Sequence, residues 1–296
     1  MSTLKEFTNN LADCINHRMQ ESGVHATVQV VRKNNGIEKI GIVIMEKDKN
    51  VSAVVETAGF QLEYERGITM DEVADHVYSI TKEHQMKNID LSKVTDYEKV
   101  KPRLALKLIN RKTNEELLKN MPYMNVCDDL ACICYIALEE PAGGRIMVHY
   151  GLLKNWNVTV ADLMHTAMEN TEQMYPADVF PLEKIIEERG IPVDEDSYGK
   201  SIYVVTHEGR VYGAVAALYK GVLNQLAEKL GSDLIIIPSS VHEVLVLPKD
   251  ESYRSAEIWN RMVREVNETQ LEGEEVLSDH IYLYCKETKD ICGLVA

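Results

Sequence analysis

Ser240, His242 and Glu243 stand within four positions of one another in the stretch LGSDLIIIPSSVHEVLVLP. In a hydrolytic site these residue types supply a nucleophile, a general base and the acid that orients the base. Local spacing argues against that use. If His242 opens a strand, it shares a face with Val244 and Val246, while Glu243 points to the opposite face with Leu245 and Leu247. The serine elbow of the α/β-hydrolases, G-x-S-x-G, turns from a strand into a helix. Here both glycines are missing and a second strand follows. Pro238, Ser239 and Ser240 have a simpler use, since proline ends a ladder and the hydroxyls can bond exposed backbone. The segment Pro238-Ser239-Ser240-Val241-His242-Glu243 is therefore read first as a turn, then as a ligand-contact loop, and last as a catalytic site.

Other reactive groups are scattered. His149, His207 and Asp279 could converge with Ser240 and His242 across a sheet, although nothing in their linear spacing requires it. No H-E-x-x-H pair exists, because Val246 stands where the second histidine after His242 would be, so no metal is expected. Cys132 and Cys134 lack C-x-x-C spacing and read as buried free thiols. The acidic run REVNETQLEGEEVLSDH lacks the calcium-loop spacing and reads as a helix end with a polar connection. Within it Asn267 and Gln270 are candidate ligand- or partner-binding groups. Gly143-Gly144 belongs to neither kind of nucleotide loop, so no cofactor is expected. Trp156 reads as a packing residue at the edge of the core, closing a helix against a sheet.

The formal net charge of -15 repels a phosphate backbone on average, and the basic residues of YEKVKPRLALKLINRKTNEE are spaced among carboxylates. Nucleic-acid binding is therefore disfavoured. No apolar run reaches membrane-spanning length, and the charged first twenty residues hold no signal-peptide core. A cytoplasmic protein is expected.

Pattern places the elements. Leu4, Phe7, Leu11 and Ile15 mark a helix over 3–20, and two β-rich runs flank Asn35-Gly36, a hairpin turn pair. A capping box at Thr69 and Glu72 opens a second helix. This helix-hairpin-helix module is assigned to 1–88. The remainder, 89–296, is a larger module with a candidate seam near 171–200. Strands are expected at RLALKLIN, LACICYIAL, GRIMVHYG, SIYVVT, YGAVAALY, LIIIP, HEVLVLP and HIYLYC. Pro141 to Gly144 reads as a turn. Helices are expected after Thr95, Thr113 and Thr159, between Leu182 and Arg189, through Val222 to Leu230, and from about Ser255. The fold class is α+β, with mixed or largely antiparallel sheets and packed helices.

Segments such as YERGITMDEVADHV, DYEKVKPRLALKLIN, WNVTVADLMHTAMENT, VYGAVAALY, LAEKLGSDLIIIPSSVHEVLVLP and VREVNETQLEGEEVLSDHIYLY occur in the order of a known family. Over nearly its whole length the chain resembles an uncharacterised family common in gut Firmicutes, known only as a domain of unknown function. It is more distantly similar to an uncharacterised bacillar family sharing the tryptophan before the helix and the P-S-S-x-H-E turn. Neither resemblance implies an activity, a cofactor or site residues. The residues themselves favour a non-enzymatic acidic adaptor or effector that binds a protein partner. The alternative is a small-molecule-binding or hydrolytic enzyme using the P-S-S-x-H-E turn.

Overall fold

The structure is a computed structural model that describes residues 2–50, 52, 54–83, 88, 90, 92–138, 144–193, 202–249 and 255–293. The chain forms two compact units. The first holds Met1–Lys33 and Ile37–Lys93, and the second holds Asn34–Gly36, Val94–Glu139 and Gly143–Ala296.

In the first unit, α1 (Leu4–Arg18) starts on Thr3, whose side chain and Glu6 form a reciprocal capping box. Strands β1 (Val24–Arg32) and β2 (Glu38–Glu46) pair antiparallel in full register, from Val24 opposite Glu46 to Arg32 opposite Glu38. Asn35 and Gly36 lie between them with φ of 60° and 69°, the left-handed region that asparagine and glycine tolerate. The short strand β3 (Val54–Glu56), then α2 (Ala58–Glu65) and α3 (Met70–Glu83), complete the unit. Neither β3 nor α2 was expected from pattern. Phe7, Leu11 and Ile15 of α1, Ile42 and Ile44 of β2, and Val73 and Val77 of α3 make one core.

After α4 (Ser92–Thr95), which spans the boundary, the second unit continues with α5 (Tyr97–Val100). A four-stranded antiparallel sheet follows: β4 (Leu104–Asn110), then, after α6 (Glu115–Leu118), β5 (Tyr123–Cys127), β6 (Leu130–Ala137) and β7 (Arg145–Met147). β4 covers one edge of β6, and β5 and β7 share the other edge. The chain continues through α7 (Tyr150–Trp156), α8 (Val160–Met174), β8 (Ala177–Pro181), α9 (Leu182–Glu188), β9 (Tyr203–His207) and α10 (Val222–Leu230). It ends with β10 (Leu234–Ile237), β11 (Val244–Pro248), α11 (Ala256–Gln270), β12 (Tyr282–Cys285) and β13 (Asp290–Gly293). Strands β8 to β13 form an antiparallel sheet of order β13-β12-β10-β11-β9-β8. Antiparallel sheets with helices packed on them make the fold class α+β. No described helix is long and apolar enough to cross a membrane.

One large core joins Leu106 and Leu108 of β4, Cys132 and Cys134 of β6, Leu163 of α8, Val205 of β9 and Tyr282 of β12. A smaller cluster on the other face of β4 and β6 contains Ile109, Leu118 and Ile133. β4 is thus buried at every position, Lys107 included, and does not have the solvated face that alternation suggests. Within 171–193 the chain contributes β8 and α9 to this unit, and 194–200 lie outside the described residues. The expected turn at 141–143 lies outside them too.

Three expectations are corrected. YGAVAALY makes no strand, because Gly213–Leu218 form a 3-10 helix after Tyr212, whose φ is 70°. Residues 213–217 are buried at every position. An all-apolar run carries no period that separates strand from helix. A Cβ on Gly213 would fall 2.0 Å from Thr206 Oγ1 and 2.6 Å from the His242 carbonyl, so only glycine fits there. The strand in GRIMVHYG stops at Met147, and α7 then begins after His149. HEVLVLP enters its sheet only at Val244.

Candidate functional site

The late start of β11 overturns the face argument for His242 and Glu243, which lie in the turn and not on opposite faces of a strand. The turn closes on itself. The Ser240 N–H donates to the Glu243 carbonyl at 3.1 Å, and the His242 N–H donates to Ser240 Oγ at 3.0 Å. Ser240 therefore shapes the turn with its hydroxyl. The His242 ring leaves the turn to stack on Tyr212, with centroids 5.8 Å apart and planes 8° apart. Its Nδ1 accepts the Tyr212 N–H at 3.1 Å, which puts the proton on Nε2, facing Glu275 Oε1 at 3.6 Å. Burial holds the ring below the ordinary histidine pKa, against the pull of Glu275.

Tyr212 leads to the rest of a cluster. Directly opposed residues of an antiparallel pair share a face. The pairings Ala105–Tyr135, Lys107–Ile133 and Ala137–Arg145 thus put Lys107 of β4, Tyr135 of β6 and Arg145 of β7 on one face of the four-stranded sheet. Lys107 is 8% exposed, and its Nζ sits 4.2 Å from the centre of the Tyr212 ring. The Arg145 guanidinium carbon is 5.3 Å from the same ring and 5.9 Å from that of Tyr135. Tyr135 meets Tyr212 edge-on at 5.7 Å. The Tyr135 hydroxyl is buried with no hydrogen-bond partner in bonding geometry. Burial pushes this phenol upward.

His207, the last residue of β9, belongs to the same cluster. It is 1% exposed and stacks on Tyr175 at 4.8 Å and 16°. Neither ring nitrogen has a hydrogen-bond partner. Desolvation lowers its pKa, its own backbone opposes this, and the Arg145 charge lowers it further, all told favouring the neutral ring. Thr206 beside it donates to the His242 carbonyl at 2.8 Å, which fastens β9 to the P-S-S-x-H-E turn.

A second polar cluster surrounds Asp129. Its side chain accepts from Asn110 Nδ2 at 2.6 Å, Ser278 Oγ at 3.0 Å and the Tyr282 hydroxyl at 2.5 Å, and it faces His280 Nε2 at 3.0 Å. Burial opposes the charge, but these donors and the His280 cation hold the carboxyl well below the usual carboxylate range. His280 is raised by its hydrogen bond to Asp129, and its Nδ1 lies 3.1 Å from the Ile281 carbonyl. Asp128, Asp129 and His280 have the composition of a cation site. His280 Nε2 faces Asp129 at 3.0 Å and Asp128 at 3.5 Å while Nδ1 faces the Ile281 carbonyl, so the surroundings offer an acceptor to a proton on either ring nitrogen.

The other candidates are placed separately. Asp279 accepts from Asn267 Nδ2 at 2.8 Å, and the same amide donates to the Ser278 carbonyl at 2.9 Å, tying α11 to the approach to β12. Gln270 is exposed, and its only side-chain hydrogen bond among the described residues is a long one to Thr269. His149 precedes α7 without a capping bond from its side chain. No hydrogen bond or ion pair among the described residues joins His149 or Asp279 to Ser240 and His242. His207 and His242 do come together, and with them Lys107, Tyr135, Arg145, Tyr175 and Tyr212, which sequence reasoning missed. Their signal was faint: one lysine, tyrosine or histidine in each otherwise apolar strand. Ser239 and Asn267 both line an apolar groove of about 170 Å³ beside Trp259, Met262 and Val266. Cys132 and Cys134 are buried free thiols, the former pushed up to about 12 by desolvation. Trp156 is 7% exposed and donates its indole N–H to the Val94 carbonyl at 3.2 Å.

No curated protein and no solved structure matches the chain. The model of a family of unknown function, DUF5688, matches residues 4–286, and the chain belongs to that family.

Proposed function

We propose that the second unit binds a small anionic molecule at the cluster of Lys107, Tyr135, Arg145, His207, Tyr212 and His242. The observation that carries this reading is His207, buried with both ring nitrogens unpartnered. Each buried polar group left without a partner costs about 1–3 kcal/mol, so such groups mark places where something else completes the bond. The Tyr135 hydroxyl is a third such atom. Arg145 adds a fork of donors and a charge, and Lys107 a second charge. A guanidinium fork, a phenol and an imidazole N–H suit the oxygens of a carboxylate or phosphate. Catalysis is not part of this reading. The Ser240 hydroxyl accepts the His242 N–H, and no serine or cysteine in the cluster is paired with a base.

Calorimetric titration with inorganic phosphate and with small mono- and dicarboxylates tests the reading. Binding to the wild-type chain is expected to weaken about tenfold or more in Arg145→Gln and in His207→Phe, the loss of one charge-assisted hydrogen bond or more. No binding, or binding indifferent to both changes, would sink it. A cytoplasmic setting is part of the proposal, in keeping with six unpaired cysteines.

The reading as an acidic adaptor has its own support. Ile258, Met262 and Val266 are exposed at steps of four along α11 beside the apolar groove, on a chain of net charge -15. A charge-led partner would be captured from extract at low salt and released at moderate salt. Partners that ignore salt would remove charge as the basis of recognition.

A further inference from the structure

A cavity of about 530 Å³ opens between the 3-10 segment, the start of α10 and the β12–β13 hairpin. We propose that it is a binding site for an amphiphilic organic monoanion, separate in residues and chemistry from the His207 cluster. Its walls are divided in character. Val126, Leu218 and Ile291 give an apolar side, and with Ala217 they also line an adjoining recess of about 20 Å³ walled by Leu130 and Ile236. That recess admits a methyl-sized group.

The other side is polar. Lys220 and Lys289 are exposed, and neither is in an ion pair among the described residues. Tyr284 is 5% exposed and lines the cavity, and its hydroxyl has no hydrogen-bond partner among the described residues. α10 begins here on Gly221 with no side chain capping it. Leu223 and Asn224, at its second and third positions, line the wall where helical N–H groups have no acceptor within the helix. Two cations, a phenol and free backbone donors attract an acidic head, while the apolar wall favours an organic body. Asp290 also lines the cavity and repels a second negative charge, which favours a sulfonate or carboxylate over a phosphate dianion.

The probe is 1-anilinonaphthalene-8-sulfonate, followed by fluorescence on the whole chain. Its neutral counterpart N-phenyl-1-naphthylamine reports the contribution of charge. The sulfonate is expected to bind the wild-type chain more tightly than the neutral dye. Reversing both charges with Lys220→Glu and Lys289→Glu together is expected to weaken it about tenfold, because two attractions to the head become two repulsions. His207→Phe leaves this binding unchanged, which separates the cavity from the site of the proposed function. Met262→Asp, on the apolar groove of α11, leaves it unchanged as well. The proposal is overturned by absence of binding, by equal affinity for the two dyes, by indifference to the double reversal, or by loss in Met262→Asp.

Discussion

Asp129 and His207 are both buried polar groups in the second unit, one 4% and the other 1% exposed, and both have aromatic and charged neighbours. Around Asp129 every donor meets an acceptor: Asn110, Ser278, Tyr282 and His280 converge on one carboxylate. Around His207 the inventory is left open, with two ring nitrogens and the Tyr135 hydroxyl unpartnered beside the Arg145 charge. A closed network needs nothing more and fixes the ends of β4, β6 and β12 relative to one another. An open one is incomplete in the molecule alone. The contrast shows that a cluster's function is read less from its residue types than from its unpaired atoms. By residue type alone, Asp128, Asp129 and His280 are the better-looking site.

The sharpest way to break this comparison is Asp129→Ala. The change strands three donors and removes the nearer of the two carboxylates facing His280, leaving Asp128 at 3.5 Å. A loss of about 3–5 kcal/mol is expected, as when one member of a buried ion pair is removed. Urea denaturation followed by circular dichroism measures it. A loss below about 1 kcal/mol would show that water replaces the carboxylate, and the two clusters would then no longer differ in kind.

His207→Phe should behave in the opposite way. It keeps an aromatic ring against Tyr175 and removes the two unpartnered nitrogens. Stability is expected to hold or to rise by about 1–2 kcal/mol, because a desolvation penalty disappears without loss of a hydrogen bond. The same variant is expected to lose anion binding, separating a functional role from a structural one. Destabilisation by more than about 2 kcal/mol would mean that the imidazole is satisfied through ordered water and serves the fold.

Local signals made much of this molecule legible. The Thr69 and Thr159 caps, the Asn35-Gly36 turn and the antiparallel strand runs each depend on residues within a few positions of one another. Thr159 accepts the Asp162 N–H at 3.2 Å, as its spacing suggests. The 3-10 segment was illegible because Gly213, Ala214, Val215, Ala216 and Ala217 carry no polar residue to mark a period. The site was harder still. Lys107 in LALKLIN has the spacing of a solvated face, and only the cover on both sides of β4 shows it to be buried. Tyr135 and Arg145 reach it by strand pairing, whereas His207 and Tyr212 come from a different sheet and its following loop. Ser240, His242 and Glu243 drew attention by proximity in sequence, yet their proximity makes a turn. The one of them that joins the cluster, His242, does so through a ring stack with a residue thirty positions away.

The smallest expected effect lies in the pH dependence of stability, where the two clusters pull in opposite directions. His280 is raised in the folded chain, so its contribution is complete below the unfolded histidine value of about 6.5 and is lost as pH rises through the folded value. Asp129 is depressed, so its contribution is present above about 3.9 and is lost only as pH falls through its much lower folded value. His207 is lowered. Below about 6.5 the unfolded chain takes up a proton that the folded chain refuses, and stability falls as pH drops toward the folded value. Between pH 5 and 8 the two histidines therefore oppose each other, with His242, also lowered by burial, on the side of His207. Variants expose them, because the difference between two chains cancels the titrations they share. Relative to wild type, His207→Phe is expected to gain stability at pH 5 compared with pH 8, and His280→Gln is expected to lose more at pH 5 than at pH 8. Urea midpoints at the two pH values give both differences. Opposite signs would tie the charged imidazole to the closed network and the neutral one to the open cluster. Equal signs would mean that both rings sit in the same electrostatic setting, and the distinction between the clusters would have to rest on hydrogen bonding alone.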